Sequence, residues 1–293
     1  MPAPPESEEN LEYLIPSHLK LNLTLRVTGK RSDGFHDIHS LFLLLPGAES
    51  LVIRTRSSTG KDLVRVYNYP VKGQNIVLKA LCLLRNLGID LDPLEVDILK
   101  AVPPGTGLGA GSGNAAAFIG WVRNSLGAEV PRSLEANVGS DVAFFCNGAS
   151  MGVVTKAGEV VECLDGTLPL SRVVIVPRWR SDTATAYRLL DEDAGRITLS
   201  EKEAAAECLR IMASLASGKK AGLLPNDFIP ALVKANKAYL EYFSRFEDSG
   251  ALAWGISGSG SALFALYERS FSKGGIAVFF AGEPGIERIL FWE

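Results

Sequence analysis

The chain has 293 residues, of which 47% are apolar and 22% are charged, and its formal net charge is −3. This balance is typical of a folded globular protein and excludes an intrinsically disordered chain. A slightly acidic chain has no general attraction for nucleic acid or for anionic membranes, so we expect neither as a partner.

The length predicts two domains, at roughly 150 residues each. No apolar run approaches the roughly 18–20 residues of a membrane span, and the acidic, proline-rich start does not resemble a signal peptide. None of the four cysteines, Cys82, Cys146, Cys163 and Cys208, forms a CxxC pair. We therefore expect reduced thiols and a cytoplasmic location.

The N-terminal part of the chain predicts strands, helices and one loose tail, at residues 1–15. Residues 19–28 alternate strictly between apolar and polar, which predicts a half-buried strand. The other expected elements are strands at 38–45, 50–56 and 94–102, and helices at 74–88 and 114–126.

The C-terminal part predicts a strand at 172–177, helices at 183–191, 200–216 and 226–245, and strands at 251–256 and 262–268. Strands and helices are mixed without a regular β-α-β order, which favours an α+β fold over a doubly wound sheet. A break near residues 165–170 predicts domains at 1–167 and 168–293.

A glycine-rich stretch, PPGTGLGAGSGNAAAF at residues 103–118, lies between a predicted strand and a predicted helix. Glycines let backbone N–H groups approach an anion, and the start of a helix adds free N–H donors. The stretch lacks the Lys-Ser/Thr that ends a Walker A loop. It also lacks the acidic strand end that follows a dinucleotide fingerprint. From these residues alone, a phosphate site and a flexible turn without a ligand both stay open.

The same stretch resembles the nucleotide loop of the GHMP kinase superfamily, Pro-x-x-x-Gly-Leu-Gly-x-Ser-x-Ala-Ala. Three other segments resemble the branch that phosphorylates a cytidine diphosphate-linked methylerythritol: LKLNLTLRVTGKRSDGFHDIHSLF, VGSDVAFF and ISGSGSALFAL. The resemblance runs from about Lys20 to Tyr267. It implies a two-domain α+β fold, with an N-terminal ribosomal-protein-S5-like nucleotide domain and a C-terminal ferredoxin-like domain.

The resemblance implies transfer of the γ-phosphate of ATP, with Mg²⁺, to the 2-hydroxyl of that acceptor in non-mevalonate isoprenoid synthesis, by a monomer or weak homodimer. Two alternatives stay open. One is another GHMP kinase, with a mevalonate- or homoserine-like acceptor, and the other is a kinase-like binding protein without turnover. The GKRSDGFH block and Tyr187 favour the first function, and the presence of both Lys20 and Asp141 disfavours the last.

The resemblance makes Asp141 the base that takes the hydroxyl proton and Lys20 the cation beside it. Without it, Asp141 is equally a helix cap, and Lys20 is a residue on the wet face of a strand. The implied ATP-binding residues are Pro103, Pro104, Gly105, Thr106, Gly107, Leu108, Gly109, Ala110, Gly111, Ser112, Gly113 and Asn114.

The implied acceptor site consists of Asn22, which shares a strand face with Lys20, and of Phe35, His36, Thr183 and Tyr187. Aromatic rings stack on a base and a histidine hydrogen-bonds its edge. From the residues alone, Phe35 is equally a loop-packing residue and Tyr187 a core residue on a helix.

Three further features have an interpretation. The HxxH of His36 and His39 lacks further ligands, so we expect no zinc site, and the metal ligands are unknown. The pair Asn226–Asp227 is interpreted first as a helix cap. Gly113 stands where the family has serine. We expect this glycine to be tolerated, and Gly113→Ser to change the ATP KM by little, because backbone N–H groups would make most phosphate contacts.

Overall fold

Two β-sheets organise the chain in a computed structural model that describes residues 11–55, 60–71, 73–280 and 282–293. The first sheet has the order β3-β4-β2-β5-β6, with β1 paired to β2, and the second has the order β11-β7-β10-β9-β8. The first contains β1 Glu12–Lys30, β2 His36–Thr55, β3 Leu63–Tyr67, β4 Leu94–Leu99, β5 Met151–Lys156 and β6 Val160–Leu164. The second contains β7 Leu170–Pro177, β8 Gly222–Leu223, β9 Ala253–Ile256, β10 Leu263–Glu268 and β11 Ile286–Trp292.

The helices fall into two sets that follow the sheets. The first set is α1 Ile76–Asn86, α2 Ala110–Ser125, α3 Ser133–Val138 and α4 Val142–Cys146. The second set is α5 Thr183–Glu192, α6 Glu201–Ala216, α7 Ile229–Ala235, α8 Ala238–Asp248 and α9 Lys273–Phe280. None of the helices within the described ranges is long and apolar enough to cross a membrane.

Three apolar clusters form the core. One joins α1–α4 to the first sheet, and another joins α5, α7 and α8 to the second. The third lies between the sheets and contains apolar residues of β1, β2, β7, β10 and α6. The apolar face of β1, with Leu19, Leu21 and Leu23, is therefore held between the two halves of the chain.

β1 also connects the halves through its backbone. Leu25 N donates to Pro225 O at 2.9 Å, and Asp227 N donates to Leu25 O at 3.0 Å. The side chain of Asp227 accepts from Val27 N and from Arg26. One strand thus belongs to the first sheet and anchors the segment before α7.

The ends of the helices differ in a way that matters for ligand binding. Asn75 caps α1 by accepting from Val77 N, and Ser200 and Glu203 form a capping box on α6. By contrast, α2 has no side-chain cap, and the residue before it, Gly109, has a left-handed backbone with φ 65°. The first N–H groups of α2 therefore have no intrahelical acceptor and can bind an anion.

The α+β class is confirmed, whereas several predicted bounds are wrong. β1 begins at Glu12, so residues 12–15 are not a tail. The strands predicted at 38–45 and 50–56 form the single strand β2, with residue 56 outside the described residues. The helix predicted at 226–245 is broken at Asn236, whose extended backbone separates α7 from α8. All four cysteines are free.

Candidate active site

Two cavities meet at the glycine-rich loop. The larger has a volume of about 520 Å³ and is lined by Lys20, Asn22, Phe35, His36, Asp141, Thr183 and Tyr187, among others. The smaller has a volume of about 320 Å³ and is lined by every residue of the predicted ATP loop except Gly113. Gly107 and Gly109 line both cavities. A group that moves from one cavity to the other would therefore pass this loop.

The loop is built by close backbone packing. Gly105, Gly107 and Gly109 all have positive φ, at 73°, 77° and 65°. A Cβ atom on Gly107 would lie 2.0 Å from Ser257 O, so no side chain fits there.

The serine-rich loop at residues 255–261 holds the glycine-rich loop in place. Ser257 Oγ donates to Gly107 O at 2.9 Å, and Ala262 N donates to Thr106 O at 3.0 Å. Gly258 and Ser259 also line the larger cavity. The two loops therefore form one rigid wall between the cavities.

Lys20 and Asp141 meet at this wall. Lys20 Nζ lies 3.4 Å from Asp141 Oδ2 and donates to Gly107 O at 3.1 Å, and its side chain is 5% exposed. Asp141 precedes α4 but makes no capping hydrogen bond, and its side chain is 23% exposed. The structure thus excludes the helix-cap interpretation of Asp141 and the wet-face interpretation of Lys20.

Asn22 orients Lys20. Its Oδ1 accepts from Lys20 Nζ at 2.6 Å, and its Nδ2 donates to Ser40 Oγ at 2.9 Å. Both ends of the amide are therefore engaged inside the protein, although Asn22 lines the larger cavity.

Aromatic rings form the far end of the larger cavity. His36 stacks on Tyr187, with ring centroids 4.6 Å apart, and Tyr187 packs edge-on against Phe228 at 4.8 Å. Burial, with a smaller effect of Asp141, raises the pKa of Tyr187 to about 12. Phe35 is 64% exposed, so it does not pack in a core.

Two residues that the sequence interpretation did not assign to the site support it. Asp191 Oδ1 binds His36 Nε2 at 2.8 Å. Asn226 Nδ2 donates to Ile256 O and Gly258 O, at 2.9 and 2.8 Å, so it holds the serine-rich loop, while its Oδ1 accepts from Phe228 N at 2.9 Å in the turn before α7. The four-residue spacing from Thr183 through Tyr187 to Asp191 is the signal that places Asp191 on the cavity face of α5. Thr183 Oγ1 lies 2.8 Å from Ser259 Oγ at the other end of this stripe.

A buried polar network lies under the glycine-rich loop. Lys100 Nζ donates to Glu49 Oε2 at 2.6 Å and to Asn114 Oδ1 at 3.1 Å. Asn114 Nδ2 donates to Ser17 Oγ and to Glu49 Oε2, both at 2.9 Å. Burial lowers the pKa of Lys100, and Glu49 opposes that effect. Asn114 borders the smaller cavity, but its amide is engaged with the buried network and so supports the loop.

Gly113 faces away from both cavities. A Cβ atom on Gly113 would lie 2.0 Å from His18 O. The missing side chain lets α2 pack directly on β1, so a serine would fit only if the helix moved, and the small effect expected on the ATP KM stays a prediction. The side chain of His18 makes its own hydrogen bond, in which Nδ1 accepts from Gly47 N at 3.0 Å.

Comparisons with known proteins agree with this geometry. The family model described as GHMP kinases N terminal domain matches residues 75–152, and the one described as GHMP kinases C terminal matches residues 200–277. A 4-diphosphocytidyl-2-C-methyl-D-erythritol kinase of Porphyromonas gingivalis is 30% identical over 257 residues, which cover 85% of this chain and 89% of that protein.

Solved structures extend the comparison. The crystal structure of a 4-(cytidine 5'-diphospho)-2C-methyl-D-erythritol kinase aligns with a TM-score of 0.75 and 26% identity, over 96% of this chain and 98% of that chain. A homoserine kinase from Cytophaga hutchinsonii aligns with a TM-score of 0.63 at 18% identity, over 100% of this chain and 97% of that chain, which shows a shared fold alone. The chain belongs to the GHMP kinases and, within them, to the 4-diphosphocytidyl-2-C-methyl-D-erythritol kinase family.

Proposed function

We propose that this chain transfers the γ-phosphate of ATP to the 2-hydroxyl of 4-diphosphocytidyl-2-C-methyl-D-erythritol, giving the 2-phosphate and ADP, in the non-mevalonate isoprenoid pathway. The observation that carries the proposal is the Lys20–Asp141 pair at the wall between two cavities. Phosphoryl transfer requires alignment of donor and acceptor and compensation of charge, and this arrangement supplies both.

ATP would occupy the smaller cavity. Its phosphates would lie on the backbone of the glycine-rich loop, where three glycines with positive φ and the uncapped start of α2 present N–H groups. Backbone N–H donors suit the phosphates of ATP, because these phosphates are the same in every ATP-dependent kinase.

Asp141 would take the proton of the acceptor hydroxyl, because it is the carboxylate of the larger cavity that is partly open and lies beside a buried cation. Lys20 would stabilise the charge on the transferring phosphoryl group, since it also contacts the loop at Gly107. Asn22 would act through Lys20, by holding its amine in place.

The acceptor would lie along the larger cavity, with its alcohol at Asp141 and its base at the aromatic end. A pyrimidine ring stacks on aromatic side chains, and Phe35, His36 and Tyr187 line that end. The diphosphate between them would pass Thr183, whose hydroxyl lies beside Ser259.

Mg²⁺ fits this site as an ion held mainly by the ATP phosphates. The described residues contain no group of three or more His, Cys, Asp or Glu side chains that could hold a metal. Mg²⁺ prefers one or two protein oxygens together with phosphates and water. The Ser112 hydroxyl, which lines the smaller cavity, would supply such an oxygen, and the bound ion would neutralise phosphate charge.

The proposal also includes a cytoplasmic location, a monomer or weak homodimer, and no nucleic-acid or membrane partner. The net charge of −3 supports the absence of a general surface that would bind nucleic acid or anionic membranes.

The test is an ADP-release assay with three acceptors. We expect turnover with the cytidine diphosphate-linked methylerythritol and little with mevalonate or homoserine, which carry no base for the aromatic end. Preferential turnover of mevalonate or homoserine would overturn the proposed acceptor, and no ADP release with any of them would overturn the proposed activity.

A further inference from the structure

A four-residue spacing along α5 aligns three side chains with residues that line the larger cavity. Thr183, Tyr187 and Asp191 are four residues apart, so they lie on one face of the helix. Thr183 meets Ser259, and Tyr187 and Asp191 both meet His36. The aromatic end of the cavity is therefore defined by contacts between α5 and the start of β2.

The His36 ring is held from two directions. Tyr187 stacks on its face with an interplanar angle of 22°, and Asp191 Oδ1 binds its Nε2 at 2.8 Å. The His36 side chain is 8% exposed. No hydrogen-bond partner of its Nδ1 lies among the residues that the structure describes. The ring is thus fixed in orientation, with one nitrogen engaged.

The charge on Asp191 is compensated by a second partner. Lys30 Nζ lies 2.5 Å from Asp191 Oδ2. The hydrogen bond from this lysine, with a smaller effect of His36, holds the pKa of Asp191 below its usual range. An ionised carboxylate only accepts hydrogen bonds, so Nε2 must carry the proton. Because Lys30 already balances the carboxylate, the contact needs only the one N–H of the ring at Nε2.

We infer that Asp191 is a positioning residue that makes the acceptor pocket select cytosine over uracil, because it fixes the proton of His36 on Nε2 and leaves Nδ1 as an acceptor. Cytosine presents a 4-amino donor at the position where uracil presents an oxygen acceptor. A neutral Nδ1 accepts from the amino group and repels the oxygen. This inference rests on the proposed function, since it assigns the base to the aromatic end.

Binding of cytidine 5'-diphosphate and uridine 5'-diphosphate to the full chain tests the selection without turnover. We expect the wild type to bind the cytidine nucleotide about tenfold more tightly, as one hydrogen bond allows. The variant Asp191→Ala should lose most of that ratio and leave the affinity for ATP unchanged. The matched control is Glu192→Ala, on the adjacent, exposed position of α5, which should keep the wild-type ratio.

A spectroscopic measurement tests the tautomer directly. With ¹⁵N-labelled histidine, long-range ¹H–¹⁵N correlation resolves three ring systems, since the chain has three histidines. We expect the His36 signals to show a hydrogen-bonded Nε2 proton, and we expect Asp191→Ala to remove that hydrogen bond.

The outcomes separate the inference from the proposed function. A His36 ring protonated on Nδ1, or an unchanged nucleotide ratio in Asp191→Ala, overturns the inference. Equal binding of both nucleotides by the wild type overturns it as well, whereas binding of neither contradicts the proposed function itself.

Discussion

The smaller and larger cavities share a wall but differ in the parts of the chain that line them. The smaller one is lined by residues 103–112 and by residues 74–76 of another segment, and its support is buried, with the side chains of Glu49 and Lys100 at 0% and 4% exposure. The larger one is formed by side chains from both halves of the chain. At its aromatic end Phe35 is 64% exposed and Lys30 58%.

This difference follows from what each cavity would bind. Backbone N–H groups recognise phosphate whatever the side chains are, so the loop needs a fixed path and tolerates little change. Recognition of a particular acceptor depends on the identity of side chains, which substitution alters without moving the backbone. Substitutions in the smaller cavity should therefore act by changing the path of the backbone, and substitutions in the larger cavity by lowering affinity for the acceptor.

The largest expected effect is on chemistry alone. Asp141→Asn removes the proposed base and should lower kcat by about 10²–10⁴-fold. ATP affinity should stay nearly unchanged, because the loop that would bind ATP is untouched. Steady-state kinetics and ATP titration check both, with the exposed Asp165→Asn as control. Near-normal turnover at saturating substrates would contradict the role of Asp141.

Two lysines test the contrast between buried and exposed support. Lys100→Met leaves Glu49 buried without its cation and should lower the free energy of unfolding by about 3–5 kcal/mol. Lys30→Met breaks an exposed pair and should cost at most about 1 kcal/mol. Denaturant unfolding measures both, and equal losses would show that the two supports do not differ.

Two glycines of α2 test how closely that helix packs. Gly113→Ala places a Cβ 2.0 Å from His18 O, which should cost about 1–3 kcal/mol as the helix moves off β1.

Gly120→Ala is the matched control in the same helix. A Cβ atom there has no neighbour within 4 Å, so the substitution should stabilise the protein by roughly 0.5–1 kcal/mol. Thermal unfolding distinguishes the two glycines. A Gly113→Ala variant as stable as the wild type would contradict the close contact.

The smallest effect is expected at the exposed ring. Phe35→Ala should raise the acceptor KM roughly fivefold, as the loss of about 1 kcal/mol of stacking predicts, with no change in Tm. Tyr187→Ala should raise the same KM and also lower Tm, because Tyr187 packs on Phe228. An increase in the ATP KM of equal size would mean that Phe35 does not belong to the acceptor site.

The sequence predicted most elements and the pairing of Lys20 with Asp141, but for different reasons. Periodicity located β1, yet it predicted a wet face at Lys20, because burial of that face comes from loops near residues 107 and 257. The pairing of Lys20 with Asp141 came from resemblance to a family, since no local pattern links them.

Long-range contacts account for what the sequence did not predict. Asp191 was missed because its partner His36 is 155 residues away. The need for glycine at position 113 also depends on a distant residue, since the obstacle is the carbonyl oxygen of His18. Local sequence patterns predict helices and strands, but they do not predict contacts between segments that are far apart in the sequence.

The double role of β1 limits how this enzyme can be divided or recombined. The strand carries Lys20 and, five residues later, Leu25, whose N–H and C=O bind the segment before α7. A chimera that takes its C-terminal half from a relative must therefore match the register at Leu25, because an error there would shift the lysine in the active site. Two separately produced halves would regain activity only by re-forming this backbone junction, so β1 couples assembly of the protein to assembly of its proposed catalytic centre.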